Sequence, residues 1–454
     1  MLAGFLLYIS GMPTLAHAYQ YAFPSSFSDD GRPHLTLATS NAAERPHFFE
    51  GRVLQPRLIA DLLTAVHLIV GSRFFLPANS LAKVLMLADP VVTSGGGTLR
   101  FEGFSACCSA YIRADLLPAS YDGETVGQGT TNVDFNAPMR AALARLRDAD
   151  GLDLSVGAKE LTLRSGDHSV TEKKVELPLR WLRGMLEVQS YQAGMKVRHT
   201  MSGMEALRFL RALPRNANGR TPLWMVAGAG GPRMTANPAA HGVRISDTSR
   251  LRVLEQLAPK AKSVTVYADD AQQSCAWVLD FGAARLTLVL SAETWRGFSG
   301  EGQALRALLR ASGSGSLASV RAQLAWQSVL DASAISGKLA LPVADVDDAL
   351  RVLGASGLVG FDVLEGRYFH RVLPFDLALV EDLNPRLAGA RELIEQGAVR
   401  VVCEQPFEAT VASGGVEHRV REVDNELQCT CPWFAKYQGE RGPCKHVLAA
   451  EAMR

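Results

Sequence analysis

"CTCPWFAKYQGERGPCKH", Cys429 to His446, gathers three of the seven cysteines of a 454-residue chain beside a histidine. Its reading decides how the last part of the chain can fold. Cys429 and Cys431 close a strand-like run, "NELQCTC", and period-two alternation puts both sulfurs on one face. Twelve residues follow, among them Gly439, Gly442 and Pro443, which let the chain reverse. Cys444 and His446 then arrive at the start of a helical run, "CKHVLAAEAMR", where the positive end of the helix dipole favours thiolate.

Three thiolates and one imidazole suit the tetrahedral preference of Zn²⁺, with bonds of about 2.3 Å to sulfur and about 2.0 Å to nitrogen. Protein fills all four positions and leaves none for the water that a catalytic zinc activates, so one structural Zn²⁺ is expected. The net charge of such a centre is about −1. Lys436, Arg441 and Lys445 lie close in sequence to offset it.

Working outward, the length points to about three domains. Apolar residues make up 47% and charged residues 20%, the composition of a folded globular chain. A net charge of +1 gives no overall field to draw the molecule to nucleic acid or anionic lipid, so any such binding must be local. The odd cysteine count in a chain this long argues against a disulfide framework and for a reducing, cytoplasmic setting. "MLAGFLLYISGMPTLAHA" has the apolar run and small-residue site of a secretory signal but no Lys or Arg before the run. The preferred reading is a start at Met12. No window of eighteen apolar residues exists, and no membrane span is expected.

Helical patterns occupy residues 53–90, followed by strands around a glycine turn in "VVTSGGGTLRFEGFSACCSAYIRADLLP". Cys107 and Cys108 fall inside this strand pattern, which would turn them to opposite faces as small buried hydrophobes. Two later segments share an order of helix, alternating strands and a Trp-Arg-Gly ending, at Trp181, Arg183 and Gly184 and again at Trp295, Arg296 and Gly297. They suggest a duplicated helix-plus-antiparallel-sheet unit. "SGSGSLAS" follows as a hinge. Beyond it, helices and a hairpin resemble a winged helix-turn-helix, but residues 316–375 hold five Lys or Arg against six Asp or Glu, which favours protein contact or packing over DNA reading. The expected class is α+β and multi-domain. It divides into a signal-like or over-extended start (1–18), an N-terminal α+β region (19–134), two α+β units (135–220 and 221–312), a winged-helix-like module (313–378) and a zinc-finger domain (379–454).

Catalytic signatures are weak. "AGAGG" at 227–231 runs into Pro232 without the Lys-Ser/Thr of a phosphate loop. "GFSGEG" at 297–302 lacks nucleophile-elbow spacing, and no H-E-x-x-H occurs. Asp122, Glu124 and Asp134 read as solvated loop carboxylates.

The spacing C-x-C-x12-C-x-H resembles the SWIM-type zinc finger, whose ββα unit carries C-x-C, a variable gap and C-x-H. Pro432 after the second cysteine and Lys445 between the last two ligands fit the same pattern. Through "FEGFSACC", "GTTNVDFNAPMRAALA", "LPLRWLRG", "WRGFSGEG", "YFHRVLPF" and "CPWFAKYQGERGPCKH", the whole chain looks like a bacterial family of SWIM zinc-finger proteins. That resemblance implies zinc held by Cys429, Cys431, Cys444 and His446, with DNA or protein as the finger's partner. It also implies a place beside MoxR-type AAA+ ATPases and von Willebrand A domain proteins, as a subunit or adaptor. The expected function is therefore a non-enzymatic protein- or DNA-binding adaptor. Trp433, Phe434, Lys436, Tyr437, Arg441 and Lys445 are the candidate contact residues, since aromatics among cations suit a protein hot spot or base stacking. The alternative is an enzyme of unknown reaction in the α+β units, with the finger as a recognition arm.

Overall fold

The computed structural model describes residues 17–19, 26–29, 33–37, 47–73, 90–124, 129–132, 137–149, 152–157, 175–177, 179–215, 223–228, 230–239, 241–294, 297–298, 305, 316–324, 328–371, 373, 385–423, 426–439 and 442–454. The signal-like run before residue 17, Asp134, Trp295, Arg296, Arg441 and the start of the hinge lie outside them.

An eight-stranded antiparallel sheet dominates. It follows helix α1 (Pro56–Val70) and is built from β1 (Val91–Gly95), β2 (Thr98–Phe104), β3 (Ala110–Leu116), β4 (Gly129–Asn132), β5 (Lys196–Met201), β6 (Ser263–Ala268), β7 (Ser274–Asp280) and β8 (Ala284–Ser291). The spatial order is β5-β6-β7-β8-β3-β2-β1-β4. Its seam is the β8–β3 pair, in register from Ala284 opposite Leu116 to Leu290 opposite Ala110. The turn between β1 and β2 is made by Gly96 and Gly97, whose φ values of 61° and 73° suit glycine.

Strands β1, β2 and β3 are buried along their whole length. Alternation sends Leu99, Phe101, Ile112 and Ala114 to one face, where Ile59, Leu62, Leu63 and Val66 of α1 join the core. The other face carries the cross-strand pairs Arg100 opposite Asp115 and Glu102 opposite Arg113. These charges are buried because a further module covers them. Its elements are α3 (Ser316–Gln323), β9 (Val329–Leu330), α4 (Ala332–Leu339), α5 (Val343–Ala355), β10 (Val359–Asp362) and β11 (Arg367–His370), preceded in the chain by α2 (Leu179–Ala193). Helix, strand, two helices and a hairpin, with sheet order β9-β11-β10, is the winged-helix arrangement.

Smaller sheets flank this body. One has five strands, in the order Ser26–Asp29, Pro33–Leu37, Leu152–Gly157, His47–Val53 and Tyr121–Glu124. Asp122 and Glu124 therefore sit on an edge strand and not in a loop. The two segments alike in sequence take different places. Leu152–Gly157 of the first joins the five-stranded sheet, parallel to Pro33–Leu37, and Trp181 to Gly184 lies inside α2. The second supplies β6, β7 and β8.

One hydrophobic core runs from Phe49 to Leu373 and draws on all four segments between residues 19 and 378. A second belongs to the C-terminal finger. There α6 (Pro385–Glu395) precedes a four-stranded antiparallel sheet, β12 (Val399–Glu404), β13 (Phe407–Ser413), β14 (Val416–Val423) and β15 (Glu426–Cys429), which are hydrogen-bonded in that order. Two short helices close it, α7 (Pro432–Tyr437) and α8 (Lys445–Glu451). Phe407, Ala409, Val411, Val420 and Leu427 face Leu387, Ala390 and Leu393 of α6 and Val447 to Ala450 of α8. Leu186, Leu305 and Ala355 join this second core, so the finger packs on the larger body. Among the described residues no helix is long and apolar enough to cross a membrane.

The expectation for Cys107 and Cys108 is also corrected. Cys107 and Cys108 lie in the turn between β2 and β3, and Cys108 has φ 56°. Cys108 is in the apolar core, whereas Cys107 Sγ stands 2.8 Å from Arg250 Nη2 and 3.1 Å from Ser109 Oγ.

Candidate metal centre

The site is assembled from the end of one strand and the starts of two helices. Cys429 closes β15, Cys431 is the N-cap of α7, and Cys444 is the N-cap of α8 with His446 in its first turn. One ligand atom from each of the four lies within 4.8 Å of the others, and all four residues are buried. The four expected ligands thus come together, but Cys431, expected on the strand beside Cys429, lies past its end at the start of a helix that the sequence reading did not foresee.

Each sulfur accepts a backbone N–H. Cys431 N donates to Cys429 Sγ at 3.4 Å, Phe434 N to Cys431 Sγ at 3.3 Å and Val447 N to Cys444 Sγ at 3.4 Å. Such donors favour thiolate, and two of them belong to the positive ends of helices. Cys444 ionises most readily: hydrogen bonding from Cys429, reinforced by His446, lowers its pKa to about 4. Cys429 is driven up because it donates to that thiolate, and Cys431 is driven up by burial. Three sulfurs this close share one negative charge unless a cation is among them, and a divalent ion removes the conflict.

His446 turns Nδ1 to the sulfurs, 3.9 Å from Cys429 Sγ and 4.0 Å from Cys444 Sγ. Zinc bonds of about 2.3 and 2.0 Å at a tetrahedral angle separate sulfur from nitrogen by roughly 3.5 Å. The two observed separations exceed this by a few tenths of an ångström. The other ring nitrogen, Nε2, is buried without a hydrogen-bond partner among the described residues. Against this ring lies that of His418, from the inner face of β14, with centroids 4.3 Å apart and an interplanar angle of 38°.

The candidate contact residues lie around α7. Trp433 is half-buried, with the Arg386 guanidinium 4.8 Å from its ring and the Tyr437 ring 5.0 Å away. Arg386 also donates to Pro443 O at 3.0 Å, tying α6 to the loop before Cys444. Phe434 packs on the finger core. Lys436 is exposed above Tyr437, and Lys445 lies along α6, where a Cβ at Gly389 would stand 3.2 Å from its Cδ. Reading by local pattern missed Arg386 and His418. The alternation in "GVEHRVRE" held the signal for His418, since it turns His418 and Val420 inward together.

A cavity of about 440 Å³ opens on the outer side of β14 and β15, lined by Arg419, Arg421, Gln428, Thr430, Phe434 and Gln438 among others. Arg419 is committed to Glu408 through contacts of 2.6 and 2.8 Å.

Four buried protein donors in a closed shell define a zinc-finger protein with one structural Zn²⁺. Residues 412–454 carry a SWIM zinc finger, matching the model of that family. No curated protein matches the chain. Among solved structures the chain is similar to Proliferating Cellular Nuclear Antigen from Entamoeba histolytica, at 9% identity and a TM-score of 0.31, over 54% of this chain and 98% of that one. It is also similar to the C. crescentus beta sliding clamp, at 16% identity and a TM-score of 0.33, over 52% of this chain and 64% of the clamp.

Proposed function

We propose that the chain is a non-enzymatic cytoplasmic adaptor that presents its zinc finger to a protein partner. The setting would be an assembly of the kind formed by MoxR-type AAA+ ATPases with von Willebrand A domain proteins. The observation that carries protein over nucleic acid is the pairing of three of the finger's arginines. Arg400 stands 3.5 Å from Glu417, Arg419 2.6 Å from Glu408 and Arg454 3.0 Å from Glu422. Affinity for nucleic acid comes mainly from phosphate neutralisation, and cations held by glutamates supply little of it.

The winged-helix module supports the same reading. Its α5 carries Asp345, Asp347 and Asp348. Its hairpin is held on the large sheet, with Asp362 3.0 Å from Arg113 and Glu365 2.6 Å from Arg285. A hairpin anchored in that way supports a packing role over DNA reading. A filled zinc shell supports the non-enzymatic reading, because it offers no open coordination position.

The test uses the full chain and its Cys429→Ser variant in co-purification with the two candidate partner classes, beside a DNA mobility shift across a salt series. Zinc-dependent capture of an ATPase or a von Willebrand A domain protein, with at most weak DNA shifts, is expected. Tight DNA binding with steep salt dependence and no protein capture would overturn it.

A further inference from the structure

We infer that His418 is a positioning residue for the zinc ligand His446, holding its ring so that Nδ1 faces the three sulfurs. The inference rests on zinc occupancy and is independent of what the finger contacts.

The rotation of the His446 ring about its own bonds needs an external constraint. Its backbone is fixed in the first turn of α8, but the nitrogen that normally orients a metal-bound imidazole has no polar partner among the described residues. Second-shell carboxylates or carbonyls usually accept from the non-ligating ring N–H and lock the ring. Here Nε2 is buried and unpartnered among the described residues. A flat group against the ring face is the remaining way to hold it.

His418 is that group. Its place on β14 opposite Val411 puts it on the inner face of the finger sheet, one alternation step before Val420. Val420 in turn is opposite Cys429, so the ring and the first sulfur ligand stand on neighbouring rungs. The centroid separation of 4.3 Å, with a tilt of 38°, is a ring-on-ring contact, and the Nδ1 edge of the His446 ring faces the sulfurs. His418 itself is only half-buried and makes no contact with the ligand sulfurs that would qualify it as a fifth donor. It thus shields one face of the ligand from water while fixing its plane.

The experiment measures zinc release from the full chain to a chromophoric chelator after stoichiometric loading, with cobalt substitution as a spectroscopic readout of the coordination shell. The variants are His418→Ala, His418→Phe and Glu417→Ala, the last on the outer face of the same strand. His418→Ala should release zinc at least ~tenfold faster and broaden or shift the cobalt absorption. His418→Phe, which keeps a flat ring, should restore most of the wild-type rate and spectrum, and Glu417→Ala should match wild type. Release from His418→Ala at the wild-type rate with an unchanged spectrum would overturn the inference. So would His418→Phe behaving like His418→Ala. Failure of the wild type to hold zinc at all would instead strike at the metal centre itself.

Discussion

Arg371 Nη1 lies 2.9 Å from Glu102 Oε2, an ion pair between residues 269 positions apart whose side chains are 1% and 0% exposed. Glu102 also accepts from Tyr111 Oη at 2.6 Å, and Arg371 Nη2 donates to Met185 O at 3.3 Å. Beside them Arg113 bridges Asp115 and Asp362, and the guanidinium carbons of Arg100, Arg113 and Arg371 stand 4.2, 5.2 and 5.9 Å from the centre of the Phe369 ring. Three arginines and three carboxylates thus weld the winged-helix hairpin to the large sheet.

Removing one member of that pair leaves a buried charge uncompensated. Glu102→Leu and Arg371→Met should each destabilise the chain by about 3–5 kcal/mol, while the double variant should cost much less than their sum. Chemical denaturation of the four chains checks this. Additive costs would show that the two side chains act independently.

Acid should loosen the same junction. Burial alone would raise the Asp362 carboxyl, but the facing Arg113 and the Glu365 N–H outweigh it and hold its pKa below the ordinary value. A carboxyl depressed in the folded state contributes stability above its unfolded pKa of about 3.9, and that contribution is lost as pH falls through the lower folded value. The stability gap between wild type and Asp362→Asn should therefore be full near neutrality and close progressively below about pH 4. Denaturation midpoints of both chains across that range are the measurement.

Close packing between α2 and α5 should be equally visible. A Cβ at Gly354 would stand 2.0 Å from Gln189 Oε1, and the Gln189 side chain is buried. Gly354→Ala should cost about 1–3 kcal/mol by overpacking. Shortening the obstructing side chain in Gly354→Ala/Gln189→Ala should recover part of it, as read from thermal unfolding.

Zinc removal should act locally. The finger core is a distinct cluster from the one that runs from Phe49 to Leu373, touching that body through Leu186, Leu305 and Ala355, and ligand binding energy is folding energy for a site of this kind. Chelation should expose cleavage sites after residue 412 while the larger body stays resistant, as limited proteolysis and mass spectrometry would show. Loss of protection throughout the chain would mean that the two cores unfold together.

Sequence and structure agree where chemistry is local. Cys429 at a strand end, and Cys444 and His446 at a helix start, are placed by neighbours along the chain, whereas Cys431, expected on the same strand, lies beyond its end and caps α7. The glycine turn between β1 and β2 was legible for the same reason: φ above zero needs glycine. Cys107 was misread because its partner, Arg250, comes from another element 143 positions away.

By itself the sequence determined the α+β class, the four zinc ligands, the strands of the finger, and the three helices and hairpin of the winged-helix module though not its strand β9, because periodicity and spacing act over a few residues. Only the tertiary structure decided that β8 seals against β3, that the wing lies on a charged sheet face, and that His418 covers His446. Those contacts join residues far apart in the chain, and no local pattern encodes which distant surfaces bury one another.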